Sequence, residues 1–411
     1  MASLPALPQL PLPPATRAQW PERWLPEAVT LREAERQWVR RALALARRGL
    51  GQTSPNPAVG AVVVRDGVVV GEGYHRQAGG PHAEVVALQH AGPRASGATL
   101  YVTLEPCAHW GRTPPCTDAI LQAGIRRVVA CTVDPNPVVH GRGFARLREA
   151  GVEVALAEPW AQAQARSLNE AYEKFITTGI PFVTCKAAIS LDGKVATAAG
   201  QSRWITGPAA REAAHRLRAL HDAVLVGVGT VLADDPMLNA RLKAGSRRLR
   251  QPWRVVVDSQ ARTPPQAALF RPRGPAGPVV IAVTPSADPG RVEALRQAGA
   301  QVWQLPADAT GRVDLRALLQ ALGRRSIVSV LVEGGGTLHA ALLQAGLVDR
   351  VVAFIAPCLI GGQRAPTFVE GEGCRALEQA WRLTWRKVRR LAGGELMVDA
   401  RLSAPSASWT G

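Results

Sequence analysis

Three short segments carry residues that can hold a metal: His82-Ala83-Glu84, Pro106-Cys107 and Pro115-Cys116. One imidazole and two thiolates suit zinc, and three protein ligands leave a fourth position for water. Water held there ionises near neutral pH and becomes a nucleophile. Glu84 follows His82 by two residues, so it reaches the same cavity without ligating. A carboxylate in that place takes the proton of the water and delivers it to a leaving amine. Cys116 precedes a helix predicted over Thr117–Ala123, whose N-terminus favours thiolate. Singly, a His-x-Glu or two cysteines nine residues apart are chance features; together they predict a metal site. His109 could pass for a fourth ligand, but a closed site leaves no room for water, so we expect it beside the site.

A second candidate region is rich in glycine. Gly227-Val-Gly-Thr-Val-Leu-Ala-Asp-Asp-Pro236 follows one strand-like run, and Glu333-Gly-Gly-Gly-Thr-Leu338 lies between a strand Ile327–Val332 and a helix near Leu338–Leu343. Backbone N–H groups exposed at such a helix start cradle anions, although a plain tight turn also uses these glycines. No Gly-x-Gly-x-x-Gly follows the first strand of this region.

The elements that must position these groups alternate. A helical pattern begins near Leu31 and ends at Gly49–Gly51. A hairpin follows, Val59–Arg65 and Val68–Gly71 about an Asp66-Gly67 turn, then a helix His82–Gln89 and strands Thr99–Thr103 and Arg127–Thr132. Beyond Pro181, strands are predicted at Phe182–Ala188, Ala223–Gly227, Trp253–Asp258, Val279–Val283 and Ile327–Val332, with helices between. Both halves read as α/β. The expected division is a flexible proline-rich extension at 1–32, a first domain at 33–179, a second at 180–404 and a tail at 405–411.

The 411 residues are 47% hydrophobic and 20% charged, a globular composition that excludes a fibrous or mostly disordered chain. No apolar run reaches the ~20 residues of a membrane span; the best, Val351–Ile360, contains a proline. The N-terminus lacks a basic leader, so a cytoplasmic location is expected. Of six cysteines, Cys131, Cys185 and Cys358 sit in or beside apolar runs and read as small core residues. The net charge of +17 invites a polyanion, but the arginines are scattered in short clusters such as Arg386–Arg390. They suit a phosphorylated substrate at least as well as nucleic acid.

The segment Glu105-Pro-Cys-Ala-His-Trp-Gly-Arg-Thr-Pro-Pro-Cys116, with His82-Ala83-Glu84, resembles the zinc-dependent cytidine-deaminase-like fold. Its long cysteine spacing, with Thr53-Ser-Pro-Asn-Pro57 and Gly71-Glu-Gly-Tyr-His75, is similar to the bifunctional riboflavin-biosynthesis deaminase/reductases over about residues 35–400. The resemblance implies a cytidine-deaminase-like α/β/α domain followed by a dihydrofolate-reductase-like α/β domain. It implies zinc, with NADPH for the second half. The substrate would be a diaminohydroxy-pyrimidine bearing a phosphoribosylamino group, which loses its ring amine and then has its opened ribose reduced to ribitol. Asn56 would meet the pyrimidine edge, His75 would contact the substrate and Arg112 the phosphate. Lys186 becomes the candidate proton donor to the carbonyl oxygen. By the same resemblance Ala188, Trp204, Thr230, Asp234, Ser259, Gly335, Gly336 and Thr337 match cofactor positions, and Ser202, Arg218, Leu238, Arg241 and Glu333 substrate positions, where the two arginines suit the phosphate and Glu333 the hydroxyl groups. A homo-oligomer, dimer or tetramer, is expected, with neither nucleic acid nor membrane as partner.

Two other readings stay open at this point. Zinc chemistry on a base in RNA or DNA would show as retention on nucleic acid that weakens steeply with salt. A purely structural zinc would show four protein ligands and indifference to replacement of Glu84.

Overall fold

A computed structural model describes residues 25–110, 114–242 and 250–403. Contacts divide the chain into two compact units, Met1–Ile180 and Pro181–Gly411.

The first unit runs α1 (Glu33–Arg47), β1 (Gly60–Arg65), β2 (Val68–Tyr74), α2 (Ala83–Ala91), β3 (Thr99–Val102), α3 (Cys116–Gln122), β4 (Arg127–Ala130), α4 (Arg142–Glu149), β5 (Glu153–Leu156), α5 (Pro159–Leu168) and α6 (Glu170–Thr178). Its sheet has the order β2-β1-β3-β4-β5, antiparallel in the first two pairings and parallel in the last two. The period-2 alternation of β1 serves two cores at once. Ala61 and Val63 pack with Ala83, Ala87, Ile120 and Phe144 of α2, α3 and α4. Val62 and Val64 pack with Val39, Ala42, Leu43, Ala161 and Ala165 of α1 and α5. Both faces are covered, which makes an α/β/α sandwich.

One charge sits inside this layer. The Glu35 carboxylate of α1 accepts hydrogen bonds from the Arg32 backbone N–H (3.0 Å), Arg127 Nη1 (2.8 Å) and the Tyr101 hydroxyl (3.0 Å). Burial alone would raise its pKa, but these bonds outweigh that and hold it at about 2.

The expected loose extension at 1–32 is corrected over its last eight residues. Ala28 bridges to Leu156 at the end of β5, and Leu31 is buried in the core. Val29 and Leu31, which follow the last proline of the extension, pack into the core of this unit, and Pro26 before them is buried. Residues 1–24 lie outside the described residues, as do 404–411.

The second unit runs β6 (Phe182–Ile189), α7 (Pro208–Leu220), β7 (Ala223–Gly227), α8 (Val228–Asp234), β8 (Trp253–Val257), β9 (Val279–Val283), α9 (Pro289–Gln297), β10 (Gln301–Gln304), α10 (Leu315–Gly323), β11 (Ser329–Val332), α11 (Gly336–Gln344), β12 (Arg350–Ile355), β13 (Leu383–Arg390) and β14 (Leu396–Leu402). The strands form one sheet in the order β10-β9-β8-β7-β11-β6-β12-β14-β13. All pairings from β10 to β12 are parallel, and β14 and β13 add an antiparallel hairpin at the edge. β11 lies between β6 and β7, so the direction of winding changes beside it. Crevices at the C-terminal ends of strands next to such a reversal are where open α/β sheets bind ligands.

Cys131 and Cys185 are buried as expected, but Cys358 is exposed. The apolar run that suggested a core position ends with β12 at Ile355, and Cys358 follows on a surface turn.

Candidate active sites

In the first unit, α2 lies unusually close to β2, and the glycines of β2 permit it. A Cβ on Gly73 would stand 2.6 Å from the Ala83 carbonyl oxygen and 2.7 Å from the Ala87 nitrogen, and one on Gly71 would be 2.7 Å from the Ala91 nitrogen. This contact fixes the start of α2. His82 is its N-cap residue, in extended conformation, and Glu84 is buried in its first turn.

Cys107 arrives from the other side on the loop after β3, and Cys116 is the first residue of α3. Glu105 anchors the loop by accepting hydrogen bonds from the backbone N–H groups of Asp134 (3.1 Å), Gly141 (2.9 Å) and Gly143 (3.0 Å). The Cys116 N–H points at Cys107 Sγ over 3.3 Å.

The ligand atoms of His82, Cys107 and Cys116 lie within 4.8 Å of one another. His82 Nδ1 is 3.1 Å from Cys116 Sγ and 3.7 Å from Cys107 Sγ. Two ligands on one tetrahedral zinc, with bonds of ~2.1 and ~2.3 Å, would be about 3.6 Å apart, so the donor set and its spacing fit zinc. The hydrogen bond from Cys116 and the nearby His82 lower the Cys107 thiol, while that same bond and burial raise the Cys116 thiol, so without a metal the pair shares one proton and carries one thiolate, at Cys107. Burial pushes the Glu84 carboxyl up, which suits a group that must both take and release a proton.

Asn56 and His75 also converge here. The Asn56 amide nitrogen lies 3.1 Å from His75 Nε2, and His75 Nδ1 lies 3.0 Å from the Pro81 carbonyl oxygen. The His75 and His82 rings meet edge to face with centroids 5.4 Å apart. Both nitrogens of buried His75 are thus engaged, which makes it a support for Asn56. His109 is outside the three-ligand group, and its Nδ1 is buried without a partner. Arg112 lies outside the described residues.

In the second unit a cavity of about 1060 Å³ opens at the ends of β6, β7, β8 and β11. Lys186 and Ala188 reach it from β6, Thr230 and Asp234 from α8, Ser259 from the turn after β8, and Glu333 with Gly335, Gly336 and Thr337 from the turn into α11. Ser202, Trp204, Leu238 and Arg241 line it from the connecting loops, and Arg218 from α7. Gly335 has φ of +75°, and a Cβ on Gly334 would press on the Thr230 side chain, 3.0 Å from its Cβ, so the turn needs glycine.

Glu333 is the electrostatic centre. Arg218 clamps it with Nε on Oε1 (2.6 Å) and Nη2 on Oε2 (2.8 Å), and Lys186 Nζ is 3.5 Å from Oε2. Burial would raise its pKa, but Arg218 and then Lys186 hold it at about 2. Arg218 Nη1 also donates to the Asn239 carbonyl oxygen (3.1 Å), so the guanidinium expected on the phosphate already faces protein acceptors. Ser202 donates to Asp234 (2.8 Å), while Ser259 Oγ accepts from the Val313 N–H (3.0 Å) and ties a neighbouring loop to β8. Thr337 donates to Glu370 (2.9 Å). Trp204 is 69% exposed with Arg211 over its ring at 4.5 Å, an arrangement open to a planar ligand. Sequence reading missed His215, which sits against Arg241. Its signal was there, since it precedes Arg218 by three residues on one helix and so shares a face.

No helix among the described residues is long and apolar enough to cross a membrane. Residues 32–132 match the cytidine and deoxycytidylate deaminase zinc-binding region, and 181–397 match the RibD C-terminal domain. The chain is 44% identical to the riboflavin biosynthesis protein RibD of Actinobacillus pleuropneumoniae over 368 residues, covering 90% of this chain and 95% of the relative. The Acinetobacter baumannii RibD structure superposes with a TM-score of 0.80 at 38% identity over 90% of this chain and 99% of its own. A Thermotoga maritima structure, described as a diaminohydroxyphosphoribosylaminopyrimidine deaminase/5-amino-6-(5-phosphoribosylamino)uracil reductase, gives 0.76 at 35% identity over the same shares. With a zinc-binding deaminase half and a reductase half over nearly its whole described length, the chain belongs to the RibD family of bifunctional riboflavin-biosynthesis enzymes.

Proposed function

We propose that the first unit removes the ring amine of 2,5-diamino-6-(5-phosphoribosylamino)pyrimidin-4(3H)-one by hydrolysis. The second then reduces the ribosyl side chain to give 5-amino-6-(5-phosphoribitylamino)uracil. The observation that carries this reading is the convergence of His82, Cys107 and Cys116 beside a buried Glu84. Zinc, when held by His82, Cys107 and Cys116, supplies a Lewis acid and an acidified water. Glu84 takes a proton from the attacking water and hands it to the departing amine. Asn56, steadied by His75, offers a donor and an acceptor to the pyrimidine edge, and Arg112 supports the phosphate.

NADPH, when bound, supplies the hydride. Ala188, Trp204, Thr230, Asp234, Ser259 and the Gly335-Gly336-Thr337 turn, which line the cavity, would hold it, and the N–H groups at the start of α11 would offer donors to an anionic group. Lys186 protonates the oxygen of the carbonyl being reduced, and Glu333 keeps the lysine charged and oriented. Ser202, Leu238, Arg241 and Arg218 enclose the substrate, Arg218 through its hold on Glu333. The first domain ends at 179 and includes the docked segment 25–32, the second runs 180–404, and the enzyme works in the cytoplasm as a homo-oligomer. Zinc-loaded protein given the diaminopyrimidinone and NADPH should release ammonia before NADPH is oxidised. Glu84→Gln should stop both signals, and Lys186→Ala only the second. Neither signal from the zinc-loaded protein would overturn the substrate assignment.

A further inference from the structure

The segment 365–370, beyond β12, crosses back over the glycine turn that opens α11. Its backbone is pinned on both sides. The Val195 N–H donates to the Pro366 carbonyl (2.9 Å), the Phe368 N–H to the Gly193 carbonyl (3.3 Å) and the Glu370 N–H to the Gly336 carbonyl (3.2 Å). His339 of α11 holds its Nδ1 at 3.1 Å from the Phe368 carbonyl oxygen. Gly336 makes room for the crossing, since a Cβ there would stand 2.5 Å from the Thr367 carbonyl oxygen. Pro366, Phe368 and Glu370 all line the cavity.

This crossing sets the Glu370 side chain on the positive end of α11. The same Cβ would stand 2.8 Å from the Glu370 carboxyl carbon, and Glu370 Oε2 accepts from the Thr337 hydroxyl at 2.9 Å. Among the described residues no cation is in ion-pair contact with this carboxylate. Its compensation is the helix end, where the N–H groups of Gly336 and Thr337 have no acceptor among the described residues. An anion arriving at the start of α11 therefore meets a place already held by an anion. The single hydrogen of the Thr337 hydroxyl cannot serve both, and the two charges repel at close quarters. With the backbone pinned, Glu370 yields by turning its own side chain and gives up the Thr337 contact.

We propose that Glu370 is a built-in competitor for the anionic part of the cofactor at the start of α11, and so sets the affinity of the second unit for NADPH. This rests on the NADPH reading above and concerns a residue outside the expected set. The carboxylate satisfies the helix end between turnovers and limits how tightly the cofactor is held.

The test is a fluorescence titration of full-length protein with NADPH, and with dihydronicotinamide riboside, which carries no phosphate. Glu370→Gln keeps an oxygen for Thr337 but loses the charge. It should bind NADPH roughly three- to thirtyfold more tightly than wild type, the range in which a helix N-terminus holds an anion. Glu370→Ala should do the same, and the riboside should show no such gain. Tighter binding cannot come from a damaged fold, and circular dichroism checks folding for the other outcomes. A wild type that binds no NADPH would overturn the cofactor assignment and this inference with it. A folded Glu370→Gln that binds NADPH no more tightly than wild type would overturn this inference alone. So would a gain confined to Glu370→Ala, which would make the obstruction one of bulk, or a gain shared equally by the riboside.

Discussion

Replacing Arg218 with methionine would leave Glu333 buried with Lys186 as its remaining ionic partner. In the native structure the guanidinium makes two short contacts, 2.6 and 2.8 Å, whereas Lys186 stands at 3.5 Å. The two side chains of the clamp are only 14% and 5% exposed, so water cannot take over. Removing one member of such a pair costs about 3–5 kcal/mol because the other charge is stranded. For a unit of this size each kcal/mol moves Tm by ~2–4 °C, so the reductase transition should fall by roughly 6–20 °C. Arg218→Met should also abolish NADPH oxidation while ammonia release survives. The triple variant Arg218→Met, Glu333→Leu, Lys186→Met discriminates the cause, since replacing the whole buried charge cluster with apolar groups is often neutral or better. Calorimetry of the three proteins should show the single variant depressed and the triple variant recovered, though inactive as a reductase. A single variant unfolding within about 1 °C of wild type would refute the reasoning, as would a triple variant no better than the single.

Three further outcomes are expected. Glu35 has a folded pKa of about 2 against 4.5 for the free side chain, so its contribution, on the order of 3 kcal/mol, is present above pH ~4.5 and lost as pH falls toward 2. Glu35→Gln should therefore flatten the acid limb of a stability-against-pH curve for the first unit. Gly73→Ala would force a Cβ to within 2.6 Å of the Ala83 carbonyl, so α2 must shift. It should destabilise by about 1–3 kcal/mol and weaken zinc binding in a chelator competition. Stripping zinc should end ammonia release but leave reduction of already deaminated substrate intact, as NADPH absorbance would show.

The residues that converge as metal-ligand candidates were legible because they lie in short motifs whose residue types are rare in combination, His82-Ala83-Glu84 and the two Pro-Cys pairs. Strand periodicity placed most of both sheets for a related reason: buried parallel strands are continuous apolar runs. The failures share another cause. β13 carries Arg386, Lys387, Arg389 and Arg390 and is mostly exposed, so it reads as a basic cluster and is a strand only because β14 pairs with it. Cys358 follows an apolar run without belonging to it. Arg218 reads as an anion contact until its acceptor is seen to be a carboxylate 115 residues later in the chain. Leu31 docks at the end of a proline-rich stretch, because burial is decided by a partner that local composition does not reveal.

The chain of contacts from Pro81 through His75 to Asn56 has a directional consequence. The Pro81 carbonyl can only accept, so the imidazole hydrogen stays on Nδ1 and its lone pair faces Asn56. The carboxamide must therefore present its nitrogen to the ring, and a flip would set oxygen against a lone pair. A side chain that is ordinarily symmetric in shape thus acquires a handedness that the polypeptide backbone imposes on it. A heterocycle meeting Asn56 finds acceptor and donor in a fixed order, so one orientation of its polar edge is matched and the reverse is refused.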